Sequence, residues 1–202
     1  FLIMAERTIN YENEVIFQGT VVHKYSTPKV TILTISTGRA TNIVNYPKCV
    51  CFGKAKEEAD KLELHARVAV QGNVQSSVRT REERRYVTQS IYADEITEIP
   101  NASERANYVK LTGEVVSIAT PAENILRLVV RTFKNGRRSN VQVFRFDEKA
   151  GDIAASLKNG DVVSLVGTVQ TTKKEKAVEG SEDKETIHYE NIVIRSLSKK
   201  ED

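Results

Sequence analysis

The residues of this chain whose types and spacing could do chemistry are rings set among cations. Arg79, Arg81, Arg84 and Arg85 crowd one segment, with Tyr86 beside them. Arg131, Lys134, Arg137 and Arg138 crowd a second around Phe133, and Lys173, Lys174 and Lys176 a third, upstream of Tyr189. Tyr46, Lys48, Phe52 and Lys54 fall close together, as do Phe144 and Phe146. Clustered cations are the footprint of a face that binds an anion. Rings interleaved with cations suit a single nucleic-acid strand: the rings take base faces at about 1–3 kcal/mol each, and the cations track the phosphates. Glu82 and Glu83 interrupt the first cluster, and Glu175, Glu179, Glu182, Asp183 and Glu185 the third. A mixed segment holds phosphate less strongly than a purely basic one, which favours the second cluster.

No catalytic inventory accompanies these residues. His23, His65 and His188 do not recur at matching places. No glycine-rich phosphate loop leads from a strand into a helix. Cys49 and Cys51 lack two further ligands at zinc spacing and have no neighbouring His and acid to activate a nucleophile. The expectation is no enzyme activity, no metal, no cofactor and no small-molecule substrate. A strand cannot readily bridge its own i and i+2 positions, so the two cysteines predict free thiols and a reducing compartment.

The elements that must position these residues come in two copies. Asn13-Glu-Val15-Ile-Phe17-Gln-Gly19-Thr-Val21-Val22 is echoed by Asn107-Tyr-Val109-Lys-Leu111-Thr-Gly113-Glu-Val115-Val116. Val68-Ala-Val70-Gln-Gly72-Asn-Val74-Gln75 is echoed by Val163-Ser-Leu165-Val-Gly167-Thr-Val169-Gln170. A period this long means two copies of one fold, and the chain of 202 residues accommodates them. We expect a first domain over 13–99, a linker over 100–106 and a second domain over 107–198. Net charge is only +3, so the clusters matter more than the bulk. No apolar run approaches the ~18 residues of a membrane span. No signal-peptide pattern is visible, and native translation is expected to start at Met4, the only methionine.

Within the first copy, strands are expected over 15–24, 30–36, 48–52, 66–74 and 85–96. A loop and strand start is expected over 38–46, and a helix over 53–62 with Ala55, Ala59 and Leu62 on one side. The second copy repeats this with strands over 109–118, 125–131, 140–146, 162–169 and 187–197 and a helix over 148–157. A charged loop is expected between the fourth and fifth strands of the first copy, and a mobile loop over 171–186 in the second, where nothing could pack a core. The glycine inside each opening strand predicts a bend, a bulge or a close backbone approach. Five strands with one short helix between the third and fourth is the order of the OB-fold, a Greek-key barrel. The fold class is therefore all-β with one short helix per domain, as two tandem OB-fold barrels. Phe17 and Leu111 fall at core positions, and Tyr25 and Tyr92 at structural ones. Phe52 and Phe146 fit either a ring platform or the barrel core. Phe144 and Phe146 share one strand face, and Val141, Val143 and Arg145 the other; an Arg among valines leaves open which face is core.

Several of these motifs together resemble the bacterial and phage-type single-stranded DNA-binding proteins: the opening Asn-x-Val-x-Phe/Leu-x-Gly-x-Val, Val50-Cys-Phe52-Gly-Lys54 running into the helix, Leu157-Lys-Asn-Gly160-Asp, and Tyr86 and Tyr189 in the fifth strands. Two such domains in one polypeptide resembles the Deinococcus–Thermus-type members and some phage proteins. The resemblance implies that rings on the barrel face stack on bases. It matches Phe52 and Phe146 to the family's Phe at the end of strand three, and Tyr46 to a Trp six residues earlier, where the second copy has Asn140. Arg79 and Lys174 stand near the place of a second family Trp, and this chain has no Trp. Ser198–Asp202 does not match the acidic, hydrophobic-tipped tail through which family members recruit partners.

The resulting expectation is a protein that coats and protects single-stranded DNA in replication, recombination or repair, largely independently of sequence. Its partners would be the strand itself and a second copy, giving a homodimer with four OB domains. The membrane would play no part, and the protein would be cytoplasmic and nucleoid-associated, in a bacterial or phage-infected cell. Two other readings fit the same residues: an interaction module of a replication or mobile-element complex, and a single-stranded RNA binder.

Overall fold

The computed structural model describes residues 7–38, 43–102 and 104–201. Met4 lies outside them, as does part of the loop expected over 38–46. β1 (Glu12–Ser26), β2 (Thr31–Ser36), β3 (Lys48–Cys51), β4 (Arg67–Arg81) and β5 (Arg84–Glu98) form the first half, with α1 (Gly53–Lys61) between β3 and β4. Neighbours run antiparallel except β3 and β5, which meet in parallel at Val50 and Tyr92. Because β1 pairs with both β2 and β4, the five strands close on themselves. β6 (Ala106–Ala122), β7 (Ile125–Lys134), β8 (Arg137–Arg145), β9 (Val162–Ala177) and β10 (Lys184–Lys199) repeat the circuit, with α2 (Lys149–Ser156) between β8 and β9. Here β8 and β10 are the parallel pair, at Phe144 and Val193, and β6 closes onto β9. Both circuits have the expected OB-fold order.

Alternation along the strands sets the cores. Val15, Phe17 and Val21 of β1, Leu126, Leu128 and Val130 of β7, and Leu111 of β6 are all buried. On β8 the valine face is the inner one: Val141 and Val143 are buried, while Phe146 points out. Arg145 follows the valines at the end of the strand without stranding its charge. Its Nε donates to both carboxylate oxygens of Asp147 at 2.9 Å, and its Nη1 donates to the Ile194 carbonyl at 2.9 Å. Cys49 and Cys51 are buried as free thiols.

The residues shared by the two opening motifs answer to backbone geometry. A Cβ on Gly19 would stand 2.1 Å from the Ser36 carbonyl oxygen, and one on Gly113 2.1 Å from that of Arg131. No side chain fits between strands that approach so closely. Asn13 donates from Nδ2 to the Val74 carbonyl and accepts the Val74 N–H at Oδ1, both at 2.8 Å. Asn107 makes the same pair of bonds to Val169, at 2.8 and 2.9 Å. Each carboxamide thus satisfies strand groups that would otherwise be buried without a partner, an omission costing about 1–3 kcal/mol.

The two barrels share one ten-stranded sheet through an antiparallel β1–β6 seam, from Glu12 opposite Thr112 to Gln18 opposite Ala106. At its centre Val15 faces Val109. These residues hold the same place in the two motifs, so the seam has the symmetry of a two-fold joint, in which each side offers the same patch to the other.

Two segments expected as loops are instead hairpin arms. β4 and β5 stay paired as far as Arg81 opposite Arg84, closed by Glu82 and Glu83, both in the left-handed region at φ 50° and 63°. β9 and β10 stay paired as far as Ala177 opposite Lys184. The residues of 171–186 pack no core, which is why they read as a loop. Strands already side by side in the barrel extend their ladder outward with both faces wet, so no hydrophobic alternation marks them.

Candidate functional site

β3 turns its odd residues, Cys49 and Cys51, into the core. Its even residues therefore face out, and Tyr46, Lys48, Val50 and Phe52 continue one outward row. Phe52 is 49% exposed and lies parallel to Tyr92 of β5, with ring centroids 5.7 Å apart and planes 9° apart. In the second barrel the outward row of β8 is Asn140, Gln142, Phe144 and Phe146. Phe146 is 47% exposed and parallel to Phe144 at 5.4 Å and 8°. The two ring pairs are built differently. The adjacent β3/β5 positions are Val50 and Tyr92, and the adjacent β8/β10 positions are Phe144 and Val193. The second ring thus comes from the fifth strand in one barrel and the third in the other. Tyr92, expected as structural, is part of the outward platform. Only the parallel pairing of strands far apart in sequence places it there. Lys54 is exposed in the first turn of α1, just beyond Phe52.

Each platform is bordered by the arm of the other barrel. At the base of the β4–β5 arm, Ser76 accepts the Asn140 N–H at 2.8 Å. Gln89 beside it accepts the Gln142 N–H at 2.8 Å and donates to the Gln142 carbonyl at 3.1 Å. At the base of the β9–β10 arm, Thr171 accepts the Tyr46 N–H at 2.9 Å and Glu190 accepts the Lys48 N–H at 3.3 Å. Ser76 pairs with Gln89 across one arm as Thr171 pairs with Glu190 across the other. The contacts are therefore the same two-fold pair, with Glu190 where its counterpart is Gln89. Neither residue carried a sequence signal, because its partner lies in the other repeat.

The arms divide the cationic clusters by face. Arg79 sits opposite Tyr86 and Arg81 opposite Arg84, so these four share one face, all exposed. Arg85 sits opposite Thr80 on the other face, with the exposed Val78 and Val87, the face that carries Ser76 and Gln89 at its base. On the second arm Lys174, Lys176 and Tyr189 share a face, and the Lys174 ammonium stands 5.7 Å from the Tyr189 ring centre. Lys173 and His188 share the other. Tyr86 and Tyr189 are not register equivalents: Tyr189 corresponds to Thr88, two residues along the same face. The second cluster is also divided. Phe133 faces Arg138, and Arg131 faces Asn140, on one side of the β7–β8 hairpin; Lys134 faces Arg137 on the other. Lys134 is held by barrel one, 3.3 Å from Asp94 and 3.2 Å from the Asn13 carbonyl oxygen. Phe133 packs against Tyr11 at 4.9 Å. Arg131 Nε is buried with no hydrogen-bond partner among the described residues. The cluster favoured by its lack of acids is thus not one open patch.

Between the second arm and β3 lies a crevice of about 810 Å³, lined by Tyr46, Lys48, Lys173, His188, Tyr189 and Glu190 among others. Solvent reaches Glu190, yet the crowded walls push its pKa up to about 7, against a smaller downward pull from the Lys48 N–H and ammonium. No cluster of His, Cys, Asp or Glu that could hold a metal occurs among the described residues.

No protein-family model matches this chain. No curated protein matches it in sequence. The whole fold does match solved structures. The wild-type single-stranded DNA-binding protein from Thermus aquaticus superposes with a TM-score of 0.65 at 18% identity, covering 95% of this chain and 94% of that one. A deletion mutant of the same protein gives a TM-score of 0.67 at 16% identity, covering 95% and 96%.

Proposed function

We propose that this chain binds single-stranded DNA with little sequence preference, taking bases on the two ring pairs and phosphates on the arms. The observation that carries the reading is the repetition of an outward, parallel ring pair at the end of β3 and of β8. Each is half-exposed on a closed barrel and bordered by a cation-bearing arm from the other barrel. Wet parallel rings beside cations are what a flexible polyanion with flat bases requires. The shared fold with a single-stranded DNA-binding protein supports the same reading. Each barrel, over 13–99 and 107–198, acts as one binding domain, and the tether between them raises the local concentration of the second site once the first is filled. Coating of this kind suits replication, recombination or repair.

The test is titration of fluorescein-labelled oligo-dT at two salt concentrations, read by anisotropy. Submicromolar affinity at low salt is expected, with log K falling linearly with log salt at a slope of about −0.7 per phosphate neutralised. Micromolar or weaker affinity at low salt would overturn the coating role.

A further inference from the structure

The two arm-to-barrel junctions are the same contact made twice, and only one of them uses up its polar side chain. Gln89 gives its carbonyl oxygen to the Gln142 N–H and its amide to the Gln142 carbonyl. Among the described residues, Glu190 at the matching place accepts one N–H, that of Lys48, on Oε2. A carboxylate can accept about four hydrogen bonds. The rest of that capacity opens into the crevice, whose volume of about 810 Å³ lies within the roughly 300–1,000 Å³ of small-ligand pockets. Its walls present Tyr46, which can take a flat ring, and Lys48 and Lys173, which can take a phosphate. His23 and His188 complete the titratable lining.

We propose that this crevice is a base-reading subsite that favours guanine within an otherwise indifferent strand. The assignment rests on the single-stranded DNA reading and adds a preference to it. Bases of an unpaired strand are open to reading on their Watson–Crick edges. Guanine alone presents two adjacent donors there, N1–H and N2–H₂, which a carboxylate accepts together. Adenine and cytosine each offer one amino group next to a ring nitrogen that is itself an acceptor. Thymine offers one N–H between two carbonyls, which the carboxylate repels. Glu190 is therefore matched to one base and mismatched to the homopolymer usually chosen to measure binding without specificity.

The experiment compares two labelled strands of equal length at pH 8, where Glu190 is ionised. One is oligo-dT; the other carries an isolated guanine at every third position, so that one guanine can always reach the crevice and none can form quadruplexes. Strands with adenine or cytosine in place of each guanine serve as controls, and are expected to bind like oligo-dT. A two-donor contact in a partly wet site is expected to give about a five- to tenfold tighter Kd for the guanine strand. Glu190→Gln replaces one acceptor by a donor and brings the ratio of the two affinities to one. Taking the ratio within one protein cancels any general gain from removing a negative charge. Glutamine already occupies the two-fold-related position, so the variant is expected to fold, and its thermal melt is recorded alongside. Equal affinity for both strands in the unsubstituted protein, or a preference that survives Glu190→Gln, overturns the assignment while oligo-dT binding stands. Failure to bind either strand overturns the assignment together with the single-stranded DNA reading.

Discussion

Removing the two outward phenylalanines separates platform from core. Phe52 and Phe146 are 49% and 47% exposed. Truncating a fully buried Phe costs about 3–5 kcal/mol; with half of each ring already wet, we expect about 2 kcal/mol of stability per site. In a chain of this length that lowers Tm by about 4–8 °C and leaves the fold in place. Affinity should fall as well. A stacked base is worth about 1–3 kcal/mol. The neighbouring rings Tyr92 and Phe144 survive truncation and keep part of the platform, so we expect about 1.5 kcal/mol per site, close to tenfold in Kd. The rings sit on different barrels and share no partner, so their effects should add and the double variant should lose about a hundredfold. Anisotropy titrations of Phe52→Ala, Phe146→Ala and the double variant against labelled oligo-dT, with circular-dichroism melts of each, make the measurement. A double variant that melts as expected and binds like the unsubstituted protein refutes the platform. One that no longer folds refutes the reading of these rings as surface.

The remaining predictions concern the scaffold and the arm. Gly19→Ala drives a methyl to 2.1 Å from the Ser36 carbonyl oxygen and should cost about 3 kcal/mol or more by overpacking. Gly151→Ala meets nothing within 4 Å in α2 and should stabilise by about 0.5–1 kcal/mol; denaturant melts yielding similar values for the two would show the close approach to be wrong. On the first arm, Arg84→Ala should weaken oligo-dT binding severalfold and lower the salt slope by about 0.7, because Arg84 shares its face with Arg79, Arg81 and Tyr86. Arg85→Ala, on the opposite face, should change affinity less than twofold, and equal losses from the two would refute the division by face.

The barrels were legible because their constraints recur in the chain. Gly19 and Gly113 mark the same close approach, Asn13 and Asn107 splice the same strands, and Val15 and Val109 fall at the seam; repetition shows what single residues cannot. The arms were not legible. Their strands, from Ser76 to Arg81 and from Thr171 to Ala177, are wet on both faces, and a ladder extended from a barrel leaves no hydrophobic period. The cationic clusters misled for a related reason. Neighbours in sequence alternate between faces of a strand, so Arg85 parts from Arg84, and Lys134 and Arg137 from Arg131 and Arg138. Tyr92 reads as structural in the sequence because its stacking partner Phe52 lies forty residues away, and the difference between Gln89 and Glu190 acquires meaning only once the two halves are folded against each other.

The β1–β6 seam has a consequence of its own. A joint between two identical chains loosens on dilution, and every substitution in it happens twice. Here both sides belong to one polypeptide, so the barrels stay joined at any concentration. Each half is also free to drift alone: one junction keeps a glutamine locked to backbone while the other exposes an acid to a cavity. The halves are joined as the two sides of a homodimer would be, yet they need not match, which leaves room for one half to hold a preference that the other lacks.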